Sequence, residues 1–343
     1  MKISIVILNW NGAEYLQQFL PKLIEHTQIP DVEIVVADNA SSDGSLQVLA
    51  VDFPMVKVIA LEKNFGFAEG YNKALSQLEA EYFLLLNSDV EVSENWLQPL
   101  LDCMRENPKV AVCQPKIRSF HAREYFEYAG ASGGFIDTFG YPFCRGRVLK
   151  NLEKDTGQYD DVANIFWATG ACFLVRAEVF REVSGFDSDF FAHFEEIDFC
   201  WRLRSRNYEI ACVPQSVVYH VGGGTLSAES PYKTYLNYRN NLLMLYKNLP
   251  AERLKKVMFA RYFLDYLSTL HLAITGRFGN ALKVFKARRD YKKMRKNYTE
   301  IRQKNIRQTT NPEIAEIYPK SMIFQYYFKG EKTYAELTDW QVD

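Results

Sequence analysis

Residues 81–92 read EYFLLLNSDVEV. Tyr82–Leu86 is an apolar run of strand length without alternation, the pattern of a strand covered on both faces, and it stops on the polar triplet Asn87-Ser88-Asp89. Open α/β sheets place their ligand loops at such strand ends. Upstream the same pattern recurs: Ile3–Leu8 runs into Asn9, Glu33–Ala37 into Asp38, and Val56–Leu61 into the loop Asn64-Phe65-Gly66-Phe67. Between these runs, Ala13–Glu25 carries Leu16, Phe19, Leu20, Leu23 and Ile24 at helical spacing. A second helix, capped by Ser41 or Ser42, carries Leu46, Val48 and Leu49, and Ala68–Leu78 reads as a third. Repeated strand–helix alternation predicts an α/β fold with a mostly parallel sheet flanked by helices.

Downstream, Trp96–Glu106 reads as a helix and Val110–Pro115 as a strand. From 116 to 163 the pattern breaks: Gly130, Gly133, Gly134, Gly140, Gly146 and Gly157 are set among aromatics, which suggests hairpins or a long loop shaping a cleft. Regularity returns with strand Thr169–Val175, helix Ala177–Val183 stopped by Gly185, helix Ile197–Arg206 and strand Glu209–Pro214. After Ser230 the chain reads as helix to about Arg307, a C-terminal helical extension.

Composition narrows the class. Hydrophobic residues make up 48% of the 343 and aromatics 15%, enough for a packed core and too rich for a disordered chain. The net charge of −1 conceals a basic segment, since residues 251–310 hold 16 Lys and Arg against 4 Asp and Glu. That asymmetry asks for an anionic partner, lipid or nucleic acid, and no recognised nucleic-acid motif accompanies it. Cys103, Cys113, Cys144, Cys172, Cys200 and Cys212 form no CxxC pair and read as reduced, buried thiols of a cytoplasmic protein. MKISIVILNWNG reads as a first strand rather than a signal peptide. Val257–Gly276 carries Arg261, Asp265 and His271, which excludes it as a membrane span.

The polar residues at the strand ends suggest a chemistry. Asp38 could accept from a nucleobase N–H or ribose hydroxyls, or merely cap the next turn; Asp43, beside Gly44, is more simply a turn residue. In Asn64–Phe67 a glycine allows backbone to approach a phosphate at a helix N-terminus. Asp89 supplies one carboxylate for Mg²⁺ or Mn²⁺, with a diphosphate completing the shell. His220, in VVYHVGGG, could complete such a shell, and the glycines with Thr225 after it suit a mobile loop. FFAHFEEIDFCWRLR holds Glu195, Glu196 and Asp198 among phenylalanines. At a helix start Glu195 and Asp198 share a face while Glu196 is turned about a hundred degrees away. One acid could be a general base and another bind acceptor hydroxyls or the helix N-terminus, while Asp198 also lies four residues before a partner, Arg202.

Together VILNWNG, VVADNASSDGS, NFGFAEGYN, LLLNSDV, TGACFLVRAEVFREVSGFD, FFAHFEEIDFCWRLR and VYHVGGGT, spread over Lys2 to Pro250, resemble glycosyltransferase family 2. These are inverting enzymes of the GT-A fold, and the bacterial rhamnosyltransferase-like members are the most similar. The resemblance implies a sugar moved from a nucleotide-diphosphate donor, dTDP-rhamnose or a UDP-sugar, to a glycan or lipid-linked glycan in cell-surface polysaccharide synthesis. It implies Asn9, Asp38, Asn64, Gly66, Asn72 and Ser88 at the donor, and Asp89 and His220 as ligands of Mn²⁺ or Mg²⁺. The family's acidic pair falls on Glu195 and Glu196, with Glu196 at the base position where Asp is usual. The implied division is a GT-A catalytic domain over 1–230, split into a donor half (1–115) and an acceptor half (116–230), with a mainly helical extension over 231–343.

Two other readings compete. A nucleotidyltransferase would need a basic, glycine-rich loop after its first strand, and here that loop is Asn9-Trp10-Asn11-Gly12, without lysine or arginine. A non-catalytic descendant of a transferase would not be expected to keep Asp38, Asp89, Glu196 and His220. In the tail, Val284, Ala287, Tyr291, Met294, Tyr298 and Ile301 form one helical stripe amid lysines and arginines. An anionic membrane surface bound through 251–310 is one expectation, placing the enzyme peripherally on the inner face of the plasma membrane. The plainer one packs the stripe on the rest of the chain or on a second copy in a homodimer.

Overall fold

In a computed structural model, which describes residues 2–222 and 229–337, the apolar runs pair as parallel neighbours. β1 (Ile3–Asn9), β2 (Val32–Asp38), β3 (Lys57–Ala60) and β4 (Tyr82–Asn87) lie in the order β3-β2-β1-β4. They are joined by α1 (Ala13–Glu25), α2 (Ser45–Asp52) and α3 (Gly66–Leu75). Asn9 pairs with Asp38, and Leu8 with Asn87, so the polar residues that end the strands emerge along one edge. β12 (Cys172–Arg176) runs antiparallel between β4 and β6 (Val110–Ser119), and β13 (Glu209–His220) runs parallel to β6. A short β5 (Val90–Val92) pairs antiparallel with the end of β13, and β11 (Ala163–Asn164) pairs with an earlier part of the same edge, opposite β6.

The continuous apolar runs are explained by two cores. Ile5, Ile7, Leu84 and Leu86 pack under α1 and α4 (Leu97–Glu106), while Val6 and Leu85 join Tyr71, Phe173 and Phe199 on the opposite face. Truncating any of these buried leucines to alanine would cost about 2–5 kcal/mol. The second core continues into the tail through Leu245, Tyr298 and Leu337. Its rim is a small sheet of hairpins, as the glycine spacing suggests: β7 (Gly134–Asp137), β8 (Pro142–Cys144), β9 (Arg147–Val148) and β10 (Asn151–Leu152). The tail adds β14 (Ile317–Tyr318), parallel to β7.

The tail consists of α7 (Pro231–Asn248), α8 (Ala251–Ile274), α9 (Phe278–Met294) and α10 (Thr299–Gln308), with α7 packed on α9 and α10, and α8 on α9. Of the stripe, Val284, Ala287, Tyr291 and Tyr298 are buried and Met294 partly so, while Ile301 is exposed, so most of it is a packing surface. Neither Ser41 nor Ser42 caps α2; Gly44 is its N-cap, and Asp43 accepts the Ser45 N–H at 3.0 Å. All six cysteines are buried and unpaired. Among the described residues no helix is long and apolar enough to cross a membrane.

Candidate active site

α5 (Ala177–Glu182) and α6 (Glu195–Arg204) complete the elements around the sheet edge. Asp38 is buried there; its Oδ1 accepts from Asn9 Nδ2 at 3.1 Å and its Oδ2 from the Ser41 N–H at 2.9 Å. Asn9 Oδ1 is buried without a partner among the described residues. A Cβ on Gly12 would lie 2.4 Å from that atom and 3.3 Å from Ser88 Oγ, so only glycine lets this backbone close over the strand ends. Asn39, next to Asp38, holds the neighbouring loop. Its Oδ1 accepts from the Phe65 N–H at 2.9 Å, and its Nδ2 donates to Gly66 O at 3.0 Å and to Asn64 Oδ1 at 3.2 Å.

Two sequence expectations change on this side. The Phe67 and Ala68 N–H groups at the start of α3, reserved above for a phosphate, donate to Phe191 O at 2.6 and 3.2 Å. Gly66 (φ +76°) lies so close that a Cβ would meet the Phe191 ring at 2.5 Å. Asn72, expected at the donor, is engaged elsewhere: it donates to Phe186 O at 2.9 Å and accepts the Phe186 N–H at 3.0 Å, fastening α3 to the 186–196 segment.

β5 and β13 bring the two expected metal ligands together by pairing His220 with Val90, the residue after Asp89. His220 Nε2 lies 3.2 Å from Asp89 Oδ1, and on the ring's far side Nδ1 lies 3.5 Å from Glu127 Oε1. Burial by itself would push the His220 imidazolium down; the Asp89 and Glu127 carboxylates more than reverse this and lift it to about 10. Asp89 is lowered, its burial outweighed by the His220 hydrogen bond and charge. With the His220 proton displaced, a carboxylate and an imidazole backed by a second carboxylate form a donor set that fits a divalent cation. Among the described residues no group of three or more His, Cys, Asp or Glu forms a closed cage, so such a cation would need oxygens from the bound ligand. Of the glycine run after His220, residues 223 onward and Thr225 lie outside the described residues.

The three acids at the start of α6 differ. Asp198 is fully buried and bound by Arg202 Nε at 3.0 Å, Lys247 Nζ at 2.8 Å and Asn248 Nδ2 at 2.8 Å. Burial would raise it, but Lys247 and Arg202 hold it below the usual carboxylate range. Asp198 is therefore a structural ion-pair centre, and its place among the catalytic candidates is corrected. Glu195 is only 3% exposed, and burial first, the neighbouring Glu196 second, push it well up. Glu196 is half-buried, its Oε2 has no partner among the described residues, and burial lifts it to about 7.

Residues 4–184 match the sequence family described as Glycosyl transferase family 2. The chain belongs to this family. It is therefore a glycosyltransferase, with the mixed α/β fold and C-terminal helical region expected of a GT-A enzyme. A curated relative, the N-acetylglucosaminyl-diphospho-decaprenol L-rhamnosyltransferase of Mycobacterium tuberculosis, is 25% identical over 233 residues, which cover 64% of this chain and 75% of that one. S. aureus TarS 1–349 in complex with UDP-GlcNAc superposes with a TM-score of 0.56 at 18% identity, covering 90% of this chain and 89% of that one. The mannosyltransferase PcManGT of Pyrobaculum calidifontis, in complex with GDP-Man and Mn²⁺, gives 0.51 at 14% identity, covering 90% and 85%. At these identities the structural likenesses establish the fold.

In this glycosyltransferase the sequence reading missed Glu127, Asn39 and the α7 residues that bind Asp198. An acid inside the aromatic run TyrPheGluTyr at 125–128 could have flagged Glu127. Nothing local to α7 signals that Lys247 and Asn248 reach Asp198, 49 and 50 residues earlier.

Proposed function

We propose that the chain is an inverting glycosyltransferase that moves a sugar from a nucleotide-diphosphate donor, dTDP-rhamnose or a UDP-sugar, to a glycan or lipid-linked glycan acceptor in cell-surface polysaccharide synthesis. The Mycobacterium relative, a rhamnosyltransferase by name, supports the donor and the lipid-linked acceptor. The observation that carries the reading is Glu196, a half-buried residue whose carboxylate keeps one buried oxygen without a partner among the described residues and is lifted to about 7 at the start of α6. Such a group can take a proton near neutral pH. Glu196 accepts the proton of an acceptor hydroxyl as its oxygen bonds to the anomeric carbon and the bond to the diphosphate oxygen breaks. One displacement inverts that carbon through an oxocarbenium-like transition state. Glu195, deeper and more strongly raised, keeps its proton and supports the helix start.

Asn9, Asp38, Asn64, Gly66 and Ser88 form the donor wall of this reading, within a donor half over 1–115; the acceptor half spans 116–230. Asp89 and His220 would hold a divalent cation, with Glu127 orienting the imidazole. When bound, that cation neutralises charge on the leaving diphosphate.

The test begins with a thermal-shift screen of nucleotide sugars, with and without Mn²⁺, to find the donor. With that donor, Glu196→Gln should bind as well as wild type and lose transfer by about 10²–10⁴-fold. Wild-type kcat should climb with pH to about 7 and then level, because the base works only deprotonated. If Glu195→Gln is dead while Glu196→Gln turns over, the base is Glu195. If both turn over, the acids are structural and the reading fails.

A further inference from the structure

The tail hairpin of α8 and α9 buries one face of each helix and leaves a different, apolar face outside. On α8 the buried side chains are Val257, Arg261, Asp265 and Thr269. The opposite side of this helix exposes Phe259, Phe263, Leu267, Leu270 and Ile274, at three- and four-residue spacing. Ile274 is 76% exposed and Phe259 68%. On α9 the inward face carries Val284, Ala287 and Tyr291, and the outward face begins with Phe278, Leu282 and Phe285. The two faces join, because Tyr266 and Phe285 pack with ring centroids 5.3 Å apart. A soluble monomer rarely leaves so many large apolar groups contiguous, and such a patch marks an interaction surface.

What surrounds the patch selects the partner. Past Phe285 the outward face of α9 turns basic, with Lys286, Arg289, Lys292 and Lys293 at the same helical angles as Phe278 and Leu282, all exposed. Lys255 and Lys256 stand exposed on α8 one turn before Phe259. Of the nearby acids, Asp265 is buried between Arg261 and Arg288, Asp290 accepts from Tyr235 Oη at 3.0 Å and pairs with Arg289 at 3.5 Å, and Glu252 stands exposed one turn before Lys255 and Lys256, so the bases outnumber the acids on this face. An apolar face continued by a surplus of basic charge is repelled by a second copy of itself along its basic half. It suits a surface that is apolar at depth and anionic at its headgroups.

We propose that the outward face of the α8–α9 hairpin docks the enzyme on an anionic phospholipid bilayer, with Leu267, Leu270, Ile274, Phe278 and Leu282 at acyl depth and the α9 lysines against phosphate headgroups. This docking does not rest on the transfer reaction. It differs from the sequence expectation in its residues, since most of the stripe proposed there is buried, and in its geometry, a helical hairpin lying flat.

The test is co-sedimentation of the full chain with phosphatidylcholine vesicles, with and without phosphatidylglycerol. Wild type should bind the anionic vesicles and release in high salt. Lys292→Glu with Lys293→Glu should weaken binding by about fivefold or more per position. Leu270→Ser with Leu282→Ser should abolish it while leaving the unfolding midpoint unchanged, because both side chains are exposed. Failure of wild type to bind anionic vesicles overturns the proposal. So does a wild type that sediments as a dimer and becomes a monomer in the serine variant, which would make the face a subunit interface.

Discussion

On the strand-end side of the site, Asn39 and Asn64 hold the 64–67 loop with hydrogen bonds of 2.8–3.2 Å between uncharged groups. On the α6 side, Asp198 is gripped by Arg202 from its own helix and Lys247 from α7, and Arg202 donates on to Val183 O and Gly185 O at 2.7 Å each. The first side is assembled from loops that directly follow strands of one sheet. The second is tied by charge to a helix about fifty residues further along. A neutral hydrogen bond contributes about 0.5–1.5 kcal/mol net, whereas removing one partner of a buried ion pair costs about 3–5 kcal/mol. α6, which carries the proposed base Glu196, is therefore anchored by the tail more strongly than the 64–67 loop is anchored by its asparagines.

The largest expected effect follows from that anchoring. Asp198→Ala should lower the unfolding free energy in urea by about 3–5 kcal/mol, because Lys247 and Arg202 lose their buried counter-charge. Asn39→Ala should cost about 1–3 kcal/mol, the cost of leaving the Phe65 N–H and Gly66 carbonyl without their partner. Equal losses in the two variants would erase the distinction between the sides.

The same contrast governs what could be read in the sequence. β1, β2 and β4 were legible because each is covered on both faces and so reads as an unbroken apolar run, with a polar residue closing it. Glu196 was legible as turned away from Glu195 and Asp198 because the helical repeat requires it. For Asp198 only Arg202, four residues on, was legible; its second cation Lys247 and the Phe186 backbone that holds Asn72 lie 49 and 114 residues away. The tail stripe had two readings for a related reason. α9 is apolar on two faces, and the docking of α7 and α8 decides which one turns inward.

Glu127 extends the comparison to Asp89 and His220, the pair proposed to hold the cation. Its carboxylate stands 3.5 Å from His220 Nδ1, on the ring face away from Asp89. Carboxylates in this position typically contribute 10–100-fold in metal affinity, about 1.4–2.7 kcal/mol, by fixing the ring and raising its basicity. Glu127→Gln should therefore weaken Mn²⁺-dependent binding of the nucleoside diphosphate by about 10–100-fold, while metal-free binding is unchanged. Calorimetric titration with and without Mn²⁺ separates the two. An equal loss in both would mean that Glu127 supports the fold rather than the ligand pair.

The smallest expected effect tests whether the two sides are separable at all. Between Phe190 and Glu195 the chain makes three left-handed turns at non-glycine residues, Phe191, His193 and Phe194, with φ of 63°, 69° and 73°. Each costs about 1–3 kcal/mol and persists only where the surroundings hold it. Asn240, fully buried on α7, supplies that hold: its Nδ2 lies 2.9, 3.0 and 2.7 Å from the carbonyls of Phe190, Ala192 and His193. Arg239 adds a bond to Asp189 O at 2.7 Å. These contacts aim the first turn of α6, so Asn240 is a positioning residue for Glu196. Asn240→Ala should lower kcat by roughly fivefold, the equivalent of about 1 kcal/mol of lost alignment, and leave the donor dissociation constant unchanged. The donor side should be spared because its links to this segment, from the Phe67 and Ala68 N–H groups to Phe191 O and from Asn72 to the Phe186 backbone, do not involve Asn240. If donor affinity falls as far as kcat, the strained loop carries both sides together, and donor wall and base form one mechanical unit.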